Sequence, residues 1–269
     1  SPDDLGNARV LVPAAELQVG DYVLVPTGGE EAPVPWLPLP MPQAGYEKQA
    51  RTITFTECDE LYRLLGYFAA EGHTAGRNGS WHNAVLSFGA HEEHTWVADA
   101  VCCCEAAFGF TPSVKVGCPH PTSTQVHMRS TIVAQFMRRW ISGLQPVREL
   151  ASALMQAPVR GQREILRGWL RGDGGVSLGS RNRFKLTGTT TSPMLARQMF
   201  TLALRAGLRP SYKTRTSKGS RAVHDVYFAS EDAALLGWTV PARKFCSTRR
   251  IVQGHILLRV RAVSAVPYE

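Results

Sequence analysis

The sequence predicts an α+β fold of two pseudo-symmetric halves, each running helix–strand–strand–helix–strand–strand–helix. Three observations carry this. The stretches "LLGYFAAEG" (64–72) and "LRGWLRGDG" (166–174) share apolar residues, small residues four apart, an acid and a glycine. Their acids, Glu71 and Asp173, stand 102 positions apart, and the segments C-terminal to the two stretches also match, as expected of a duplicated unit. Basic residues gather in the second copy, with ten Lys or Arg and no Asp or Glu from Gly174 to His224.

The elements run in chain order. Leu64, Leu65, Tyr67 and Phe68 around small residues read as a buried helix. "NAVLSFG" (83–89) and "RFKLTGT" (183–189) alternate apolar and polar residues, as half-buried strands do. Helical segments come next, at about 92–108 and 192–206, each closing on a glycine and a proline-containing turn. Those turns open "GFTPSVKV" (109–116) and "GLRPSYKT" (207–214), pairing Gly109 with Gly207, Pro112 with Pro210, Ser113 with Ser211 and Lys115 with Lys213. Strands "QVHMRS" (125–130) and "DVYFAS" (225–230) then lead into helices that close on Trp140 or Trp238. The halves are expected at 54–145 and 146–240. Residues 1–50 carry a strand-like segment and then five prolines within 33–42, which predict an extended linker. Residues 241–269 form a basic segment ending in strand-like sequence.

Composition bounds the function. The 44% hydrophobic and 19% charged content is that of a globular protein. No apolar run approaches the roughly 20 residues that span a bilayer, so no membrane partner is expected. The polar, acidic start does not read as a signal peptide. Three of the six cysteines, Cys102, Cys103 and Cys104, are consecutive in a helical pattern, which is not a disulfide framework. A reduced, intracellular protein is expected, in the cytoplasm or nucleoid of a prokaryotic host or encoded by a phage. Cys118 with His120, and His91 with His94, lack matching second pairs, so no zinc site is expected. The net charge of +8 and pI of about 9.4 favour a polyanionic partner.

Gly66 with Ala70, and Gly168 with Gly172, form flat strips that let two helix backbones approach closely. Helices packed on those strips bring Glu71 beside Asp173, each at the negative pole of its own helix, where an acid is unfavourable. Such a spot suits a hard divalent cation held by carboxylate and carbonyl oxygens. A metal-binding pair on a pseudo-two-fold axis points to hydrolysis of a substrate with the same symmetry, and duplex DNA has it. Arg181, Arg183, Lys185 and Thr187 alternate with Asn182, Phe184 and Leu186, which puts the basic set on one strand face. Lys213 and Arg215 repeat the pattern, and Tyr227 lies on the last strand. The first half offers Asn83, Ser87, Lys115, Gln125, His127 and Arg129. Such faces meet phosphates and base edges, or else face solvent.

The paired motifs resemble those of LAGLIDADG homing endonucleases, over about residues 54 to 240. The resemblance implies a repeated αββαββα half, with saddle-shaped antiparallel sheets straddling duplex DNA and the motif helices at the centre. It implies a monomer that makes a Mg²⁺-dependent double-strand break in a long site, with Mn²⁺ or Ca²⁺ also able to occupy the metal site. Glu71 and Asp173 would be the metal-binding acids, with the carbonyls of Ala70 and Gly172 as further ligands. Members often carry an acid at the sixth motif position, where this chain has Ala69 and Arg171, and a lysine near the metal, where Arg129 is the nearest basic candidate. Arg129 would then stabilise charge during catalysis. "AAELQVGDYVLVP" and "LLRVRAVSAVPYE" resemble edges of an intein splicing domain, without an N-terminal Cys or a C-terminal His-Asn pair. A second reading is a non-cleaving DNA- or RNA-binding protein of the same fold, a transcription regulator or splicing maturase.

Overall fold

The computed structural model describes residues 13–36, 53–77, 80–179, 183–216, 221–239, 251–252, 255–260 and 263. A first strand, β1 (Tyr22–Pro26), precedes the first half. That half comprises α1 (Asp59–Glu71), β2 (Gly72–Arg77), β3 (Ser80–Gly89), α2 (Ala98–Phe108), β4 (Ser113–Val116), β5 (Ser123–Met128) and α3 (Thr131–Trp140). A short ribbon, β6 (Ile141–Ser142) and β7 (Glu149–Leu150), joins it to the second half. There α4 (Val159–Asp173), β8 (Gly174–Gly179), β9 (Arg183–Thr190), α5 (Pro193–Arg205), β10 (Ser211–Arg215), β11 (Val223–Phe228) and α6 (Ser230–Leu235) repeat the order. Strands β12 (Ile251–Val252) and β13 (His255–Arg259) come last.

Each half forms a four-stranded antiparallel sheet, ordered β2-β3-β5-β4 and β8-β9-β11-β10. The α+β architecture is therefore the expected one. The helix expected from 92 starts with a π-helical turn, Glu93–Val97, before α2 proper. Gly109 and Gly207 adopt φ of 70° and 78°, the left-handed conformation that a glycine supplies after a helix end. The expected linker is not all spacer: Val34 is buried, and Trp36 packs against Phe55, Tyr62, Phe136 and Trp140. Residues 37–42 lie outside the described residues. The two flanks meet, because β1 pairs with β13 in a third sheet with β12.

The motif helices form the centre. A methyl on Gly66 would stand 2.8 Å from the Trp169 backbone nitrogen and 3.0 Å from the Gly168 Cα. One on Gly168 would stand 2.8 Å from the Tyr67 nitrogen. No side chain fits there without parting the backbones. Leu61, Leu64, Leu65, Tyr67, Ile165, Leu166 and Trp169 are fully buried around this contact. Ion pairs ring it: Arg63 meets Glu164 at 3.3 Å and Asp99 at 3.4 Å, and Arg171 also pairs with Asp99. That accounts for the basic residue at the sixth motif position. Arg171 bonds to Asp99 on α2 and lies over the Trp96 ring at 4.8 Å.

Candidate metal centre and nucleic-acid interface

Glu71 ends α1 and Asp173 ends α4, each followed by an extended glycine that turns the chain into the first strand of its sheet. A Cβ on Gly172 would stand 2.5 Å from the Ala70 Cβ and 2.9 Å from the Glu71 Cγ, so the strips bring the acids together. Burial, the Asp173 charge and Glu92 push Glu71 up to about 7, against the pull of Arg148. Burial pushes Asp173 up to about 7, again opposed by Arg148.

Arg148 is the residue that sequence reasoning missed. It precedes β7, is 4% exposed, and inserts its guanidinium at the C-terminus of α1. Its Nη1 donates to the carbonyls of Phe68 (3.3 Å), Ala69 (3.0 Å) and Ala70 (3.0 Å), and its Nη2 to that of Gly72. The Ala69 and Ala70 carbonyls lie in the last turn of α1, where a helix end leaves carbonyls without intrahelical amides; that of Phe68 also accepts from the Gly72 N–H. Ser192, the N-cap of α5, fastens the loop by donating to the Arg148 carbonyl at 2.6 Å. Burial lowers the guanidinium pKa, and Asp173 and Glu71 oppose that.

The structure bears on two of the expected site residues. The cation acting on both acids is Arg148; Arg129 is exposed and acts on His127. The Ala70 carbonyl is already engaged by Arg148, whereas that of Gly172 lies in the last turn of α4. Among the described residues no three His, Cys, Asp or Glu side chains gather as metal ligands. A cation in this gap would rest on the Glu71 and Asp173 carboxylates, the Gly172 carbonyl and water. That all-oxygen set, on two acids whose charge burial disfavours, fits a hard divalent ion.

Beside this gap each half presents one sheet face. In the first, Asn83, Ser87, Lys115, Gln125 and His127 share a face by register. Asn83 Nδ2 and His127 Nδ1 are 2.9 Å apart, His127 Nε2 and Gln125 Oε1 3.1 Å, and Gln125 Nε2 donates to Ser87 Oγ at 3.3 Å. Burial, Lys115, Arg129 and His73 lower the His127 pKa, so it is neutral at pH 7.

The second half repeats the chain in different chemistry. Register places Lys185, Thr189, Asp225 and Tyr227 where Asn83, Ser87, Gln125 and His127 stand. Lys185 Nζ lies 5.4 Å from the Tyr227 ring centre; Tyr227 and Thr189 donate to Asp225 at 2.8 Å and 3.0 Å. Thr187 and exposed Lys213 share the face, and Arg183 pairs with Gly179 in register. Arg181 lies outside the described residues. Arg215 is not a free cation, since its Nε and Nη2 hold the buried Asp225. Hydrogen bonds from Arg215, Tyr227 and Thr189 outweigh burial and keep Asp225 below its ordinary value. The acid-free run ends one residue before the acid that organises this face.

Residues 160–261 match the LAGLIDADG-like domain family. The match covers the second half and the segment after it. No curated protein matches the chain in sequence. Among solved structures, the chain is similar to the homing endonuclease I-DmoI in complex with DNA and Mn, at 10% identity and a TM-score of 0.49, over 68% of this chain and 98% of that one. It is similar to the homing endonuclease I-WcaI bound to its DNA recognition sequence, at 14% identity and 0.45, over 70% and 85%. It is also similar to the N-terminal LAGLIDADG domain of DUF199/WhiA, at 14% identity and 0.42, over 66% and 81%.

Proposed function

We propose that the protein is a site-specific DNA endonuclease, acting as a monomer on a long pseudo-symmetric duplex and breaking both strands. The observation that carries this reading is the Glu71–Asp173 pair at two matched helix ends, between sheet faces whose polar chains correspond position by position. One acid per half suits one scissile phosphate per strand. A divalent cation such as Mg²⁺ at the two acids would activate water and stabilise the leaving alkoxide. The chain's own residues supply the rest. The glycine strips set the spacing of the acids, Arg148 tempers their charge, and Lys185, Lys213 and Lys115 meet the phosphates that flank the cut. The LAGLIDADG-like match of the second half supports the same reading. The pairing of β1 with β13 supports an origin in an intein, because segments that resemble splicing-domain edges join outside both halves.

One observation favours a second reading. Arg148 already supplies a positive charge at the acid pair, as a DNA- or RNA-binding protein that never cuts would need. Both readings are tested with a plasmid carrying the uninterrupted form of the host gene. The wild type with Mg²⁺ or Mn²⁺ is expected to linearise it, while Glu71→Gln and Asp173→Asn bind the same DNA without cutting. Tight binding with no cleavage by the wild type in either metal selects the second reading.

A further inference from the structure

Arg215 and Asp225 form the most constrained charged unit on the second sheet face. Asp225 is 1% exposed at its side chain and Arg215 is 54% exposed. Four donors converge on the carboxylate: Arg215 Nε and Thr189, Tyr227 and Arg215 Nη2, the last at 2.8 Å. Asp225 thus has no free acceptor for a base. Its role toward a ligand runs through the arginine, whose long side chain it holds in one orientation.

A guanidinium has five N–H groups in one plane. Two of those on Arg215 are spent on Asp225. The edge left over, Nη1 and the outer N–H of Nη2, is a pair of parallel donors. The same open cleft runs from Asp173 past Ser177 and Thr187 to Arg215 and Tyr227. A parallel donor pair matches O6 and N7 of guanine, the one base that shows two adjacent acceptors in the major groove. A backbone phosphate also accepts two N–H bonds, but a phosphate contact gains little from an arginine pinned by a buried acid.

The register shows that the feature is unilateral. Ser113 faces His127 and Ser211 faces Tyr227, so Gly117 is the counterpart of Arg215, and Gln125 that of Asp225. We infer that Arg215, held by Asp225, reads one guanine near the cleavage position, in the half-site bound by the second half only. The target sequence therefore departs from two-fold symmetry at this position. Asp225 is a positioning residue, and the inference rests on the sequence-specific DNA reading above.

The test selects binding sites from a library of randomised duplexes with the whole protein and Ca²⁺, so that no cleavage is needed. The wild type should enrich a motif with one guanine preferred about ten- to hundredfold over other bases in one half-site. Arg215→Gln and Arg215→Lys should relax that column alone, since neither side chain presents the fork. Asp225→Asn should relax the same column with the arginine still present. Arg215→Lys keeps a cation beside the buried Asp225, and a urea melt of every variant separates readout from folding. An unaltered guanine column in both Arg215 variants, with affinity lowered evenly across sequences and the salt slope reduced by about 1, would make Arg215 a phosphate contact and overturn the inference. A relaxed column in the Arg215 variants but not in folded Asp225→Asn would overturn the positioning role. A wild type that enriches no motif at all refutes the DNA reading itself.

Discussion

Replacing Asp173 by Asn removes a carboxyl that folding drives into a buried gap facing Glu71. The side chain keeps its shape and loses its charge. In the metal-free native state the Asp173 pKa stands at about 7, against an ordinary 3.8. Between those values the native state binds a proton that the unfolded chain has released, so stability falls as pH rises. The contribution of the protonated acid is whole below about pH 3.8 and is lost by about pH 7. Each pH unit costs about 1.4 kcal/mol, and some three units give about 4 kcal/mol as the upper bound above pH 7. Asp173→Asn should therefore gain almost nothing near pH 4, gain steadily to about pH 7, and level off beyond it. Urea unfolding of both proteins in EDTA, at several values from about pH 4 to about pH 8, measures this directly. A gain that does not vary with pH, or a loss at about pH 8, refutes the buried-acid account. Adding Mg²⁺ or Mn²⁺ should reverse the order, because a cation that binds only the native wild type stabilises it by mass action.

The packing and the sheet faces give three further outcomes. Gly168→Leu should part the motif helices and lower the melting temperature by the equivalent of about 1–3 kcal/mol or more, and an unchanged melt would exclude the close contact. Arg148→Met should cost about 3 kcal/mol or more in urea unfolding, since it leaves α1 carbonyls without donors and the acid pair without its counter-charge. Removing Lys185 and Lys213 together should flatten the slope of log affinity against log salt by up to about 1.8, as measured by fluorescence anisotropy. Arg197→Ala, an exposed change on α5, is the control and should leave the slope alone.

Much of the fold was legible because it depends on local period. The alternation in "NAVLSFG" and "RFKLTGT" marks β3 and β9, and the paired Gly109 and Gly207 mark two helix ends that need a left-handed residue. Small residues four apart at Gly66 and Gly168 announce a helix–helix contact, and that contact brings Glu71 to Asp173. Repetition at offsets between 98 and 102 does the rest, since two copies of a pattern carry information that one copy lacks. What tertiary structure alone decided are charges that act across the chain. Arg148 lies 78 positions from the Ala70 carbonyl it engages, in a ribbon with no repeat partner to flag it. Asp225 sits just past a long basic run and faces Lys213 in the β10–β11 register, and only the diagonal side-chain hydrogen bonds show that it turns Arg215 from a free cation into a fixed fork. Arg171 breaks the motif for a partner on α2, and Trp36, in a stretch that reads as linker, fills an aromatic core. Sequence spacing encodes which face of its own element a residue occupies. Which distant charge comes to meet it is set by packing.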